Sequence, residues 1–358
     1  MSGIFGALNL GDSDRVFLST LGQAVVYDAV NQVLAQHSAD LAAAMSVFVE
    51  RSTPEYKLRY KLPGGGRLQR LAGQAQAGAV KAYGGWDVAF PLEEFGAQIA
   101  ADRIAFAYMT AQDLDRHLST VLLQNVNTVR FEILKALLNN TQGTFVDPLR
   151  GSLSIEPLAN GDAIVYPPVI GSETEATDDH YLESGYAASA ISDSNNPYVT
   201  IVSELEEHIG TPVGFSNIIT FINNAQVAKT QALTDFDEVP DRFVMPGQDR
   251  DVPTGLPANT PGRIIGRVSG SWVSEWRWIP ANYMLAVHLD APPPLIRRID
   301  IPESGLPDGL TLVAESDTHP FTASHYSHRF GVGAGNRLNG VVMELGTGGS
   351  YSIPSGYS

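Results

Sequence analysis

Leu114, Leu118, Val121, Leu122, Val126, Val129, Ile133 and Leu137 recur at steps of three and four, with no proline or glycine between them. That spacing keeps one face of a helix apolar. It predicts a single helix of roughly 28–30 residues, about 45 Å long at 1.5 Å per residue. Thr110-Ala111-Gln112-Asp113 gives it a capping-box start, with Asp standing where Glu or Gln is usual. Asn139-Asn140-Thr141-Gln142-Gly143 gives it a stop. The rod is far longer than the mean helix of a globular domain.

The segments around it are short. Val25, Val26, Ala29, Val30, Val33 and Leu34 have helical spacing. Tyr56-Lys57-Leu58-Arg59-Tyr60-Lys61-Leu62 alternates between apolar and basic side chains, as a half-exposed strand does. Pro63-Gly64-Gly65-Gly66 breaks it, and Trp86, Val88, Phe90 and Leu92 mark a second strand. The pair reads as a long hairpin with a mobile tip. A lone two-stranded hairpin is marginal in water, so this one is expected to need a partner surface. Ala163–Tyr166 and Ile218–Ile222 read as strands. A helix is expected from Pro197, with Asn196 as its cap and proline just inside. Asn223-Asn224 can cap another. Residues 235–262 read as a loop, and short strands dominate from Arg263 to the end.

Charge is segregated. The formal net charge is −16, which argues against an outer surface that grips a nucleic-acid backbone. From Gly151 to Ala228 there is no Lys or Arg, while eleven acidic residues fall there. From Arg51 to Lys81 there are seven basic residues and one acidic one, Glu55. Two solvated faces of one monomer would account for this. So would complementarity between copies, with one subunit's basic arm on another's acidic face. On the second reading Lys57, Arg59, Lys61, Arg67 and Arg70 meet acids such as Asp178, Asp179, Glu204 and Glu207 of a neighbour.

Catalytic chemistry finds little support. There is no cysteine, which removes thiol nucleophiles, disulfides and zinc–thiolate sites. Gly331-Val332-Gly333-Ala334-Gly335 has the look of a phosphate-cradling loop. It is followed by the strand Val341–Leu345, not by the helix such a loop must open. The glycines are expected in a turn between strands, supplying positive φ. Leu62-Pro63-Gly64-Gly65-Gly66 lacks the Lys and Ser/Thr of a P-loop. His319, His325 and His328 cluster, but His325 and His328 are three apart in a strand-like stretch and should not share a face, so no metal ligation is expected from them. Glu204, Glu206 and Glu207 read as the solvated side of a helix. No Gly-x-Ser-x-Gly elbow is present. The chain is expected to be neither an enzyme nor a cofactor binder. No apolar run approaches a membrane span, and the first residues do not read as a signal peptide.

The order of parts resembles the major capsid proteins of tailed bacteriophages, the Hong Kong 97-type fold shared with encapsulin shells. Phe131–Asn140 is similar to the end of that family's spine helix. Gly185-Tyr186, Ile191-Ser192-Asp193 and Asn195-Asn196-Pro197 are similar to the start of its axial domain. His328–Gly346 is similar to its closing strands. The resemblance implies an α+β chain with an N-terminal arm at 1–49 and an extended hairpin loop at 50–93. The peripheral domain would begin at 94–164, with the spine helix at about 110–140. An axial domain at 165–285 and the peripheral domain's C-terminal strands at 286–358 would complete it.

The family's function would follow from that fold. Copies would form pentamers and hexamers that close an icosahedral virion capsid around double-stranded DNA, assembled in the host cytoplasm. The inner face would be neutral or acidic and would not bind the DNA tightly. Separate scaffolding, portal and decoration proteins are the implied partners, with no membrane. With about 45 residues before the hairpin, a separate scaffolding protein, or none, is expected. Some relatives join a lysine on the extended loop to a distant asparagine. Lys57, Lys61 and Lys81, with Asn336 and Asn339, are the residues of those types here, but the pattern is not matched residue by residue and is not carried over. An encapsulin-type compartment holding a cargo enzyme and a β-rich carbohydrate-binding protein are the alternatives.

Overall fold

The computed structural model describes residues 23–62, 85–102, 105, 108–172, 174–209, 217–239, 260–318 and 321–358. Helix α1 spans Gln23–Ala44 and leads into strand β1 (Val49–Thr53). Strands β2 (Lys57–Tyr60) and β3 (Trp86–Ala89) form the base of the hairpin, and β4 (Glu93–Asp102) follows. The long helix α2 runs from Ala111 to Leu138, 28 residues, with the Thr110–Asp113 capping box formed in both directions and Asn139 at its end. Two short strands, β5 (Gly143–Asp147) and β6 (Gly151–Ile155), make a second hairpin. Then come β7 (Tyr181–Glu183), α3 (Pro197–His208), β8 (Ile218–Ile222), α4 (Asn224–Thr230) and β9 (Asp237–Glu238). The chain ends with β10 (Arg263–Val268), β11 (Ser271–Glu275), β12 (Tyr283–His288), β13 (Leu295–Arg298), β14 (Thr311–Thr318), β15 (Phe321–Ala334) and β16 (Val341–Glu344).

Two sheets organise the α+β chain. One holds β1, β13, β15, β14 and β4, and the 14-residue β15 is its axis. The first part of β15 pairs with both β14 and β4, and its last residues, Gly331–Ala334, pair with β13. The other sheet has the order β7-β16-β12-β8-β11-β10-β9. Every residue of β8 is buried, because this sheet is covered on both faces. Alternate side chains go to opposite sides of a strand. Phe221, Leu285 and Val342 therefore face α2 and the first sheet, while Ile222, Met284 and Val341 face Tyr198, Ile201 and Leu205 of α3.

Helix α2 is long because it serves two cores. Leu114, Leu118, Val121 and Leu122 pack with Ala29, Val30, Val33 and Leu34 of α1. Ile133, Leu134, Leu137 and Leu138 enter the central cluster with Phe48, Phe221, Trp276 and Leu295. Each such fully buried large aliphatic side chain contributes about 1.5–3 kcal/mol relative to exposure. Asn125 interrupts the apolar face between the two halves. It is buried, and its amide lies between His37 of α1 and His328 of β15.

Several expectations change. The hairpin base does not wait for a partner. Tyr60, Trp86, Val88 and Phe90 are buried against Ala159, Tyr166, Ile296 and Leu338 of the same chain, and the Trp86 indole donates to the Gly335 carbonyl at 3.0 Å. The hairpin tip and Arg67, Arg70 and Lys81 lie outside the described residues, as do most of 235–262 and the first 22 residues. Ala163–Tyr166 is not a strand; Tyr166 makes a single bridge to Ala176. The glycine run is not a turn. Gly331 and Gly333 sit inside β15, where the Pro91 carbonyl and Phe90 press so close that a Cβ on either glycine would crowd them. Strand β16 joins the sheet of β8 and β12, so a boundary drawn at residue 286 cuts across that sheet.

Candidate functional site

Two charged features were expected to meet between copies, and the structure treats them differently. The basic side of the hairpin is as the alternation predicts: Lys57, Arg59 and Lys61 are all exposed. Lys57 already has an ion pair within the hairpin, its ammonium 3.1 Å from the Asp87 carboxylate with both side chains about half exposed. Arg59 donates to the Gly85 carbonyl at 3.3 Å. Such exposed contacts are individually weak, so this face remains open to a neighbour.

The acids are a correction. Asp179 is exposed, with one carboxylate oxygen accepting from the Tyr181 amide at 3.0 Å. Asp178 is not a free acid. Its side chain is only 10 % exposed, and Oδ2 lies 2.8 Å from His180 Nε2 and 3.0 Å from His208 Nε2. Glu207 lies 3.5 Å from the same His208 nitrogen. Glu204, one helical turn before His208 on α3, is half-buried beside them. Glu204 and Glu207 are thus not the solvated side of a helix.

Local sequence explains the placement. Asn196 caps α3 by accepting from the Tyr198 amide at 3.0 Å, and Pro197 occupies the first turn. Ile201, Val202 and Leu205 turn toward the sheet, which leaves Glu204, Glu207 and His208 along one flank. Asp178 and His180 are two apart in extended chain just before β7. That segment is pinned by the His180 amide to Ala159 O at 2.8 Å and by the Val342 amide to His180 O at 2.9 Å. The His180 ring is fully buried, and its Nδ1 is 2.9 Å from the Gly340 carbonyl. Gly340 has φ +124 and its Cβ would lie 3.3 Å from Leu158, so this carbonyl is presented by a backbone that favours glycine.

Burial and charge oppose each other in the cluster. Burial alone would raise the Asp178 carboxyl, yet the hydrogen bonds and charge of His180 and His208 hold it well below the carboxylate range. Burial would lower the His180 imidazole, and the bond to and charge of Asp178, with the Gly340 carbonyl and Glu204, raise it instead. Glu204 is pushed up to about 7 by burial, with the charges of Glu207 and Asp178 adding to it. Glu207 is raised for the same reasons.

The histidines weighed from the sequence lie elsewhere. His328 is buried on β15, and His325 is half-buried three residues before it, on the other face of the strand. His319 is outside the described residues. Asn336 and Asn339 are fully buried, and their amides donate to the carbonyls of Pro292 and, for Asn339, also His288. Neither is presented for joining to a lysine.

No family model matches the chain, and no curated protein matches it. Solved structures do. A chain of Mycobacterium phage Patience is similar over 96 % of this chain and 95 % of its own, with a TM-score of 0.63 and 15 % identity. The capsid of a native GTA particle covers 85 % of this chain and 90 % of its own at 12 % identity and a TM-score of 0.47. The capsid of the Myoviridae phage XM1 covers 85 % and 91 % at 9 % identity and a TM-score of 0.45. The first of these shows a shared fold from end to end.

Proposed function

We propose that this chain is a structural shell protein, a major capsid protein of the tailed-bacteriophage type with the Hong Kong 97-type fold. Copies assemble as pentamers and hexamers into an icosahedral virion capsid around double-stranded DNA in the host cytoplasm, without tight DNA binding. The observation that carries the reading is the end-to-end likeness to a phage chain at a TM-score of 0.63. The element order supports it: a hairpin, one 28-residue helix spanning two cores, and two sheets. In this reading 1–49 is the arm, 50–93 the extended loop, and 94–164 with 286–358 the peripheral domain. Residues 165–285 form the axial domain, whose sheet also takes in β16. Scaffolding, portal and decoration proteins are the further partners it implies.

Electron microscopy of the purified chain tests this. Rings or closed shells are expected, with stability rising with protein concentration as mass action requires. A folded monomer at every concentration would overturn the reading, and particles that co-purify with a cargo enzyme in place of DNA would favour a compartment shell.

The basic hairpin face is proposed to lie over a neighbouring copy, with Asp179 among the exposed acids open to it. Each exposed pair is worth only about 0.2–1 kcal/mol, but repetition over a shell sets register and disfavours wrong contacts. Lys57→Glu, Arg59→Glu and Lys61→Glu together should leave the subunit folded and impair closure. The defect should be largest at low salt, where repulsion is least screened. Normal particles from the triple variant at low ionic strength would show that this face is merely solvated.

A further inference from the structure

We propose that Asp178, His180 and His208 form a proton-operated latch between α3 and the segment that enters β7. With an extra proton on His180 the last turn of α3 is held, and loss of that proton as pH rises releases it. The inference is independent of the capsid reading. It begins with the two nitrogens of His180. Nδ1 lies 2.9 Å from the Gly340 carbonyl and Nε2 lies 2.8 Å from Asp178 Oδ2. A carbonyl and a carboxylate only accept hydrogen bonds, so the ring has to donate from both nitrogens. The ring that does so is the imidazolium. It is fully buried, so no solvent substitutes for either contact. If the ring becomes neutral with its proton kept toward Gly340, the Nε2 lone pair and Oδ2 face each other as two acceptors.

His208 transmits the change to α3. Its Nε2 meets the same Oδ2 of Asp178 at 3.0 Å and Glu207 at 3.5 Å, while its Nδ1 has no hydrogen-bond partner among the described residues. A neutral His208 can donate from Nε2 and needs no second proton, so the extra proton of the cluster belongs to the His180 contact. One carboxylate oxygen serves both rings. The movement that separates Asp178 from a neutral His180 therefore also draws it from His208. The amide of Ile170 donates to the Glu207 carbonyl at 2.7 Å, so the same turn of α3 holds the chain before β7 at a second point.

The surroundings favour the proton. From α3, Glu204 and Glu207 face the cluster beside His208, at the end of the helix where its dipole favours positive charge. Asp179 turns to the Tyr181 amide at 3.0 Å. Tyr166, within reach of the Asp178 charge, is pushed up by burial and keeps its proton. No Lys or Arg occurs from 151 to 228, and Arg337 of the β15–β16 connection is committed to Asp162 at 2.7 Å. Burial opposes a charge on His180, but the bond to and charge of Asp178 outweigh it and raise its pKa. A group raised in the folded chain gives stability that is full below 6.5 and is lost as pH rises. Glu204, raised to about 7 chiefly by burial, is lost in the same direction but from a lower pH, so the range above 7 reports on His180.

Amide hydrogen exchange of the full unassembled chain tests the latch, with rates corrected for their intrinsic pH dependence. From about pH 7 upward, protection in α3 should fall about tenfold per pH unit while only the closed form holds the proton. Protection in α2 should stay level. Asp178→Asn offers an amide donor to the neutral ring, so α3 should remain protected at about pH 9 and lose the dependence. Glu204→Gln should keep it. If Asp178→Asn does not fold, the ¹⁵N signals of His180 in the unaltered chain decide, with both ring nitrogens protonated near pH 7 and Nε2 losing its proton as pH rises. A neutral His180 near pH 7 would overturn the proposal. So would α3 protection that follows α2, an undiminished dependence in Asp178→Asn, or its loss in Glu204→Gln.

Discussion

Replacing Arg337 with Met should destabilise the unassembled chain by about 3–5 kcal/mol, the range for removing one partner of a buried charged contact. Arg337 is fully buried. Its Nε donates to Pro157 O at 2.6 Å, and Nη2 reaches Leu158 O at 3.0 Å, Asn160 Oδ1 at 3.2 Å and Asp162 Oδ2 at 2.7 Å. The guanidinium also lies over the Tyr166 ring, 5.8 Å from its centre. Methionine would fill much of the volume and satisfy none of the acceptors. Asp162 is 27 % exposed and can recover some hydration. The two carbonyls are buried and cannot, and each unsatisfied group costs about 1–3 kcal/mol. Arg337→Lys should fall between the two, because an ammonium cannot span the same fork of acceptors. Urea unfolding followed by tryptophan fluorescence reads the loss, since Trp86 stacks edge-on with Tyr166 at 5.1 Å. A change below about 1 kcal/mol for the Met variant would show that this network contributes little net stability.

Arg337 also marks where the sequence could and could not be read. It lies between two asparagines in what looks like a surface turn, and nothing local announces that it is the largest fully buried side chain among the described residues. The elements that were legible have local causes. The α2 stripe, its capping box, the Asn196–Pro197 start of α3 and the Asn223 cap are all written within a few residues of where they act. Continuous apolar Ile218–Ile222 is buried on both faces, as such a run implies.

What was not legible depends on distant chain. Gly331 and Gly333 are dictated by Pro91 and Phe90, some 240 residues earlier, which cross over β15. Positive φ was the wrong reason for them; among the glycines near the end of β15, Gly340 has it. The acid–histidine cluster was hidden likewise. Asp178 and His180 share one side of an extended segment, and Glu204, Glu207 and His208 share one flank of a helix. Those two spacings were the available signal. Only the sheet that sets β7 beside β16, with α3 packed over it, brings the halves together. Counting charge over the stretch found the missing Lys and Arg but treated the histidines as neutral bystanders, so Asp178 was read as an acid in want of a neighbour.

The stability of the unassembled chain should fall steeply as pH drops from 6.5 toward 4, and His328 should account for a large share of it. His328 is buried where α1, α2 and β15 meet. Its Nδ1 donates to Asn125 Oδ1 at 2.7 Å, and the Asn125 amide donates onward to His37 Nε2 at 3.2 Å. Its other nitrogen, Nε2, has no hydrogen-bond partner among the described residues, and the ring packs 4.5 Å from the centre of Phe330. A second proton would therefore sit on a nitrogen with no acceptor. Burial lowers the His328 pKa from 6.5 to about 4; Arg297 and His37 push the same way, and Asp308, which pairs with Arg297, opposes them. The sign follows from linkage. Between about 4 and 6.5 the unfolded chain binds this proton and the folded chain does not, so stability is full above 6.5 and is lost as pH falls. The shift corresponds to roughly 3 kcal/mol, most of it gone by pH 4.5. His37 is lowered too, by burial against the opposing charge of Asp40, and acts in the same direction. His328→Gln keeps a polar partner for Asn125 and cannot titrate. Between pH 7 and pH 4.5, wild type should lose about 2–3 kcal/mol more than this variant in urea unfolding. Parallel losses in the two proteins would place the acid sensitivity in the carboxylates and not in this histidine.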